Sequence, residues 1–197
     1  MARDRASRPE AKPLRLFVAA DVPDEVKSGL AQRTEPFRNR IPGARWTRSD
    51  SWHVTLKFLG STWPRLVTTV EGAVAGVAAA SSPFDTALTE LGVFPSPRRA
   101  RVVWGGLSDP DIRFAGIVRD LDERLADDFT PETRAFTPHL TLARLNPPRD
   151  IGEFAPDLVG TSVESAPFGV RDLVLYRSHL SPHGARYEAM NRFPLEG

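Results

Sequence analysis

Two of the chain's four histidines open the same pattern, His53-Val54-Thr55-Leu56 and His139-Leu140-Thr141-Leu142. With this threonine content, two of four histidines would have threonine at that spacing by chance with a probability of roughly 0.03. Both patterns lie in stretches that alternate apolar and polar residues. Each imidazole and its threonine hydroxyl therefore point to one side of a strand, ~6.8 Å apart along it. Two such half-sites facing one another place two imidazoles and two hydroxyls around one cleft. That set suits phosphoryl transfer without a metal. A neutral imidazole takes a proton from attacking water, and an imidazolium on the far side protonates the departing oxygen. Histidine serves in either role because its ordinary pKa is about 6.5. The hydroxyls donate to the non-bridging oxygens, where charge is held. The bland alternative is two histidines satisfied by sheet neighbours, and the matched pair argues against it.

Such strands need elements to position them. LRLFVAAD (14–21) is a nearly continuous apolar run, as in a strand central to a sheet. Asp21 and Pro23 begin a helix, with Asp24 and Glu25 in its first turn, that ends near Phe37 before Pro42-Gly43. Alternation along WHVTLKFLG (52–60) puts His53, Thr55 and Lys57 on one face and Val54, Leu56 and Phe58 on the other. A helix is predicted from Pro64 to Ala80, capped by Ser61 or Thr62. Residues 84–94 and 100–107 read as strands joined by PSPRR. Asp109-Pro110 opens an amphipathic helix, apolar at 114, 117, 118, 121 and 125, that runs to Asp128. Residues 135–145 form a strand with His139, Thr141 and Ala143 on one face, 146–166 are irregular, and 168–180 with 185–195 form a hairpin. The signals recur twice, which predicts an α+β fold of two pseudo-symmetric lobes. Each lobe is an antiparallel sheet with helices on its outer side, and the central cleft carries the two motifs. Residues 1–13 read as a flexible basic tail and 14–197 as a single bilobal domain.

The segments RLFVAAD, ARW followed by WHVTLKFLG, GVFPSPRRARVVWGGL, FTPHLTLARL and LVLYRSHLSPHGARYE, in that order, resemble the two-histidine (2H) phosphoesterases. Within them the similarity is to the RNA 2′,3′-cyclic phosphodiesterases, also called 2′-5′ RNA ligases, over roughly residues 14–195. The resemblance implies that His53 is the proton donor to the leaving ribose oxygen and His139 the acceptor from water. It implies that Thr55 and Thr141 bind the phosphate, Arg144 is a further phosphate ligand, and Phe17 contacts the base. Strict alternation puts Arg144 on the face opposite His139, so its role requires a strand end, a bulge or a reaching side chain. Ser51-Trp52 stands where the family more often has Asn and an aliphatic residue or His. The implied partner is RNA ending in a 2′,3′-cyclic phosphate, tRNA fragments among the possibilities, opened to a 2′-phosphate with reversible 2′-5′ ligation as a further activity. Alternatives are a small cyclic nucleotide or ADP-ribose cyclic phosphate as substrate, or a non-catalytic module that binds RNA ends. A matched acid and base favours the enzyme.

Composition narrows the field less. The chain has 197 residues, enough for a substantial core, and no cysteine, which excludes disulfides, thiolate metal sites and a cysteine nucleophile. Of its basic residues only Lys12, Lys27 and Lys57 are lysines. Arginine's planar fork suits phosphate, but base composition of the gene is the favoured explanation of the bias, and the net charge of +1 points to no partner. Arg98, Arg99 and Arg101 could form a patch for RNA backbone or a solvated loop, and Trp46, Trp52, Trp63 and Trp104 could stack on bases or pack. His179 and His183 have helical metal-pair spacing, but Pro182 and Gly184 make a helix there untenable. No phosphate-binding glycine loop or dinucleotide fingerprint occurs. No metal, cofactor, protein partner or membrane association is expected. With no apolar signal segment at the N-terminus, the expectation is a cytoplasmic monomer.

Overall fold

In β1 (Leu14–Asp21) the apolar run buries five successive residues, Leu16 to Ala20. Such a run suits a strand inside a sheet, and β1 has paired neighbours on both edges. The computed structural model describes residues 12–181 and 184–197, so most of the expected tail and His183 lie outside the described residues.

After β1 come α1 (Asp24–Arg38), β2 (Ala44–Trp46), β3 (His53–Thr62), α2 (Val67–Ala79), β4 (Phe84–Thr86), β5 (Leu88–Phe94) and β6 (Ala100–Leu107). Then follow α3 (Arg113–Arg124), β7 (His139–Arg149), α4 (Ile151–Phe154), β8 (Phe168–Val170), β9 (Asp172–Ser181) and β10 (Gly184–Pro194). An eight-stranded sheet runs β10-β9-β1-β3-β7-β6-β5, with β2 also on β7, and β4 and β8 form a separate ribbon. The sheet is antiparallel throughout. At its middle the two motif strands share a single register pair, Val54 opposite Leu140. That narrow waist divides the sheet into the two expected lobes.

Helices cover the outer face, and the lobes exchange them. α1 follows β1 but packs on the second lobe, where Leu30 comes within 3.2 Å of the place a side chain on Gly105 of β6 would occupy. α3 follows β6 but packs on the first lobe, where Lys57 of β3 is tied to Asp122. α2 lies against β9, β10 and α3. α1 and α3 therefore tie one lobe to the other, and the apolar residues beneath the helices form one continuous core.

Several boundaries differ from the sequence reading. Neither Ser61 nor Thr62 caps α2, because β3 continues to Thr62 and a 3₁₀ turn over Pro64–Leu66 precedes the helix. The strand over 84–94 breaks at Ala87, so that β4 pairs with β8 while β5 pairs with β6. β7 begins at His139, not 135, and runs to Arg149 into the stretch expected to be irregular, where α4 also forms. Asp109 does start the α3 region: its carboxylate accepts from the N–H groups of Phe114 (2.8 Å) and Ala115 (3.1 Å).

After each histidine motif the alternation first fails at a matching place. Along β1–β3, Val18 pairs with Lys57 and Ala19 with Thr55, leaving Leu56 without a partner. Along β6–β7, Val103 pairs with Ala143 and Trp104 with Thr141, leaving Leu142 without one. A bulge places two residues against one and reverses the side chains that follow it. Lys57 and Ala143, expected beside the histidines, are therefore buried against the helices, at 4% and 0% exposure. Phe58 and Arg144, expected behind the sheet, turn onto the motif face.

Candidate active site

A cleft of about 270 Å³ opens over the waist of the sheet. Its wall includes His53, Thr55 and Phe58 of β3, Thr141 and Arg144 of β7, and Arg15 and Phe17 of β1. Thr47, Ser51 and Trp52 line one side, and Ser178, Leu180 and Tyr187 of the β9–β10 hairpin line the other. His139 does not line this cavity itself. It lies on the motif face of β7, two residues before Thr141, close enough for its charge to act on His53.

The two imidazoles are held alike. Nδ1 of His53 donates to the Ser51 carbonyl at 2.9 Å, and Nδ1 of His139 donates to the Thr137 carbonyl at 2.7 Å. A carbonyl only accepts, so each Nδ1 carries hydrogen and each Nε2 is the atom left for chemistry. The departure at Ser51-Trp52 leaves this hold intact, because it uses the backbone of residue 51. Trp52 is 2% exposed, and its Nε1 donates to Thr47 Oγ1 at 2.7 Å.

Aromatic rings set the surroundings of each histidine. Phe17 stacks on His53 with ring centroids 4.7 Å apart, and Tyr187 meets His53 edge-on at 5.0 Å. Tyr176 stacks on Phe17 at 5.2 Å, and its hydroxyl donates to Asp21 at 2.6 Å. Arg192 donates to the other Asp21 oxygen at 2.6 Å. On the second lobe, Phe94 meets His139 edge-on at 5.1 Å and Trp104 lies 6.5 Å away. Trp104 fits there only because Gly92 has no side chain; a Cβ would fall 2.1 Å from its ring. Burial pushes the pKa of His53 down to about 4, against a partial upward pull from its backbone hydrogen bond and Asp21. Burial also lowers that of His139, and the Arg144 guanidinium lowers it further. Both are neutral bases in the free protein near pH 7.

The hydroxyls of Thr55 and Thr141 have no hydrogen-bond partner among the described residues, whereas those of Thr34, Thr47 and Thr86 bond backbone carbonyls. They remain available to something in the cleft. Arg144 is exposed and free of carboxylates among the described residues, and the bulge brings it to the cavity. Phe17 is a different matter. It lines the cavity but is 3% exposed, its ring taken up by His53, Tyr176 and Tyr187, so little of it is left for a base. Phe58, 52% exposed, is the ring that faces the opening, with Arg15 above it at 4.5 Å.

Arg98, Arg99 and Arg101 are exposed, but none lines the cleft. Trp46 and Trp52 pack, Trp104 stands beside His139, and Trp63 is 43% exposed. His179 bonds Glu188 at 2.7 Å. Sequence reasoning passed over Asp21, Tyr176, Tyr187 and Phe58. Tyr187 stood in the conspicuous segment ARYE and Asp21 closed RLFVAAD, but only the strand pairing brings them to His53.

A bilobal sheet with a histidine and a free threonine hydroxyl from each half is a two-histidine phosphoesterase architecture. The family model for LigT-like phosphoesterases matches residues 20–104 and again 107–187, one match to each half, and the chain belongs to that family. A Methanothermobacter thermautotrophicus RNA 2′,3′-cyclic phosphodiesterase is 31% identical over 92% of this chain and 99% of its own length. A crystal structure of a Thermus thermophilus protein superposes with a TM-score of 0.78 at 26% identity, covering 93% of this chain and 99% of the other. E. coli LigT complexed with 3′-AMP superposes with a TM-score of 0.68 at 25% identity, covering 94% and 99%.

Proposed function

We propose that the protein hydrolyses 2′,3′-cyclic phosphate ends of RNA to 2′-phosphates by a histidine pair without a metal. The observation that carries this is the matched tethering of two imidazoles, one from each lobe, with both Nε2 atoms left free. His139 accepts a proton from water as the water oxygen bonds to phosphorus. The bond from phosphorus to the 3′-oxygen breaks, and His53 delivers its proton to that oxygen. Thr55, Thr141 and Arg144 hold the non-bridging oxygens. Because His53 is neutral in the free protein, the donor's proton is stabilised by the substrate itself, whose anionic phosphate raises the pKa of both imidazoles. Phe17 acts on His53 by stacking, and we assign the terminal base to the exposed ring of Phe58. Among the described residues no three His, Asp or Glu side chains gather as metal ligands.

The test is to incubate the protein, with and without excess chelator, with an oligonucleotide ending in a 2′,3′-cyclic phosphate and to identify the product. A 2′-phosphate at an undiminished rate in chelator is expected, with losses of at least ~10²-fold in His53→Ala and His139→Ala. Activity that needs an added metal, or that survives either substitution, would overturn the mechanism. Binding without turnover would favour an RNA-end-binding module.

A further inference from the structure

A second arginine lies beside Arg144. β2 pairs with β7 so that Arg45 stands directly opposite Arg144, and residues opposite one another in an antiparallel pair point to the same face. The neighbours of Arg45 fix which face that is. Ala44 and Trp46 pair with Leu145 and Ala143, which are buried under the helices, while Thr47, two residues beyond Arg45, lines the cleft. Arg45 therefore projects on the cleft side, next to Arg144.

Two like charges directly across a strand pair destabilise it. Elsewhere in this stretch the chain neutralises its arginines: Arg38 pairs with Glu35 at 3.1 Å, Arg48 with Asp50 at 2.5 Å, and Arg40 with Asp157. Arg45 and Arg144 are both exposed, and among the described residues neither has a hydrogen-bond or ion-pair partner. An unneutralised pair kept on the rim of a phosphate cleft calls for an anion from outside.

Arg144 lines the cavity and Arg45 does not, so the second charge lies one strand beyond the reacting phosphate. We infer that Arg45, with Arg144, holds the backbone phosphate on the 5′ side of the terminal nucleotide, so that the site prefers an oligonucleotide end to a free cyclic nucleotide. This rests on the proposed phosphodiesterase reading. Planar guanidinium donors suit such an oxygen pair, and each neutralised phosphate of a single strand contributes about 0.7 to the slope of log affinity against log salt.

The experiment compares a 2′,3′-cyclic mononucleotide with a short oligonucleotide carrying the same terminal nucleotide, for the wild type, Arg45→Gln and Arg45→Lys, over a series of salt concentrations. Expected for Arg45→Gln is a KM on the oligonucleotide raised about fivefold or more at low salt, a salt slope reduced by about 0.7, and unchanged kinetics on the mononucleotide. Arg45→Lys should retain the slope. The thermal midpoint of free Arg45→Gln at low salt should be equal to or above that of the wild type, since a repulsion is removed. Equal losses on both substrates, no loss on either, or a lower midpoint would each overturn the inference. If the wild type turns over neither substrate, the phosphodiesterase reading itself fails. Equilibrium binding of the 2′-phosphate-ended oligonucleotide against the 2′-mononucleotide then decides the fate of the Arg45 site, by the same contrast.

Discussion

The imidazoles are tethered through Nδ1 to a carbonyl two residues back, which leaves the rings to be aimed by their neighbours. For His53 the aiming surface is Phe17, stacked at 4.7 Å and almost without exposure. In the proposed mechanism a ring so placed acts on the catalytic imidazole, whereas an exposed ring such as Phe58 acts on what enters. The two phenylalanines should therefore separate in kinetics. Phe17→Ala should lower kcat several-fold or more, by a similar factor whatever the terminal base, because the imidazole loses its support. Phe58→Ala should chiefly raise KM, and unevenly among bases, because stacking depends on the ring presented. Steady-state constants on cyclic-phosphate oligonucleotides that differ only in the last nucleotide measure both. A base-dependent KM effect at Phe17 with none at Phe58 would return the base to Phe17.

At the scale of the strand, the two bulges decide what the cleft contains. The histidine-threonine spacing was legible because both residues precede the bulge, where the period of two still holds. Beyond it the same rule gave the wrong face for Lys57, Phe58, Ala143 and Arg144, since a bulge is a property of the pairing and carries no mark in the strand's own residues. The phosphate role that the resemblance implied for Arg144 did signal that a strand end, a bulge or a reaching side chain was required. Lobe exchange of α1 and α3 was illegible for a related reason: amphipathic helices state that they bury a face, not which sheet they bury it on. Lys57 shows how the β3 bulge is held. Its side chain is 4% exposed, the ammonium paired with Asp122 of α3 and donating to the Thr130 carbonyl at 2.9 Å. Lys57→Met strips Asp122 of its charged partner in a largely buried place and should destabilise the protein by about 3 kcal/mol. The double variant Lys57→Met/Asp122→Leu should recover most of that loss. Urea unfolding of the three proteins tests the claim, and a single variant as stable as the wild type would show that the pair does not hold the strand.

For the molecule as a whole, the proposed acid and base come from different lobes that meet at one register pair, so the protonation state of the cleft belongs to both lobes together. The proposed reaction needs one proton shared between the two histidines. In the free protein His53 titrates near pH 4 and His139 below its ordinary value, both because burial disfavours the imidazolium. The singly protonated form is therefore most abundant below pH 6.5 and declines toward neutrality. Since kcat/KM reports the free protein, its optimum should lie on the acid side of 6.5. Bound substrate adds a negative charge between the lobes and raises both pKa values, so the bell for kcat should be displaced upward by about a unit or more. Stability carries the opposite mark of the same burial. Between about pH 4 and 6.5 the unfolded chain binds more protons at these positions than the folded one, so folding stability rises with pH across that window and is lost as pH falls through it. His53→Gln should flatten that rise. Profiles of kcat and kcat/KM from pH 4.5 to 9, set beside urea midpoints over the acid half of the range, measure both effects. If the two kinetic profiles coincide and centre above neutrality while stability is flat below 6.5, burial does not depress the pair. The substrate's charge would then have no part in arming the donor.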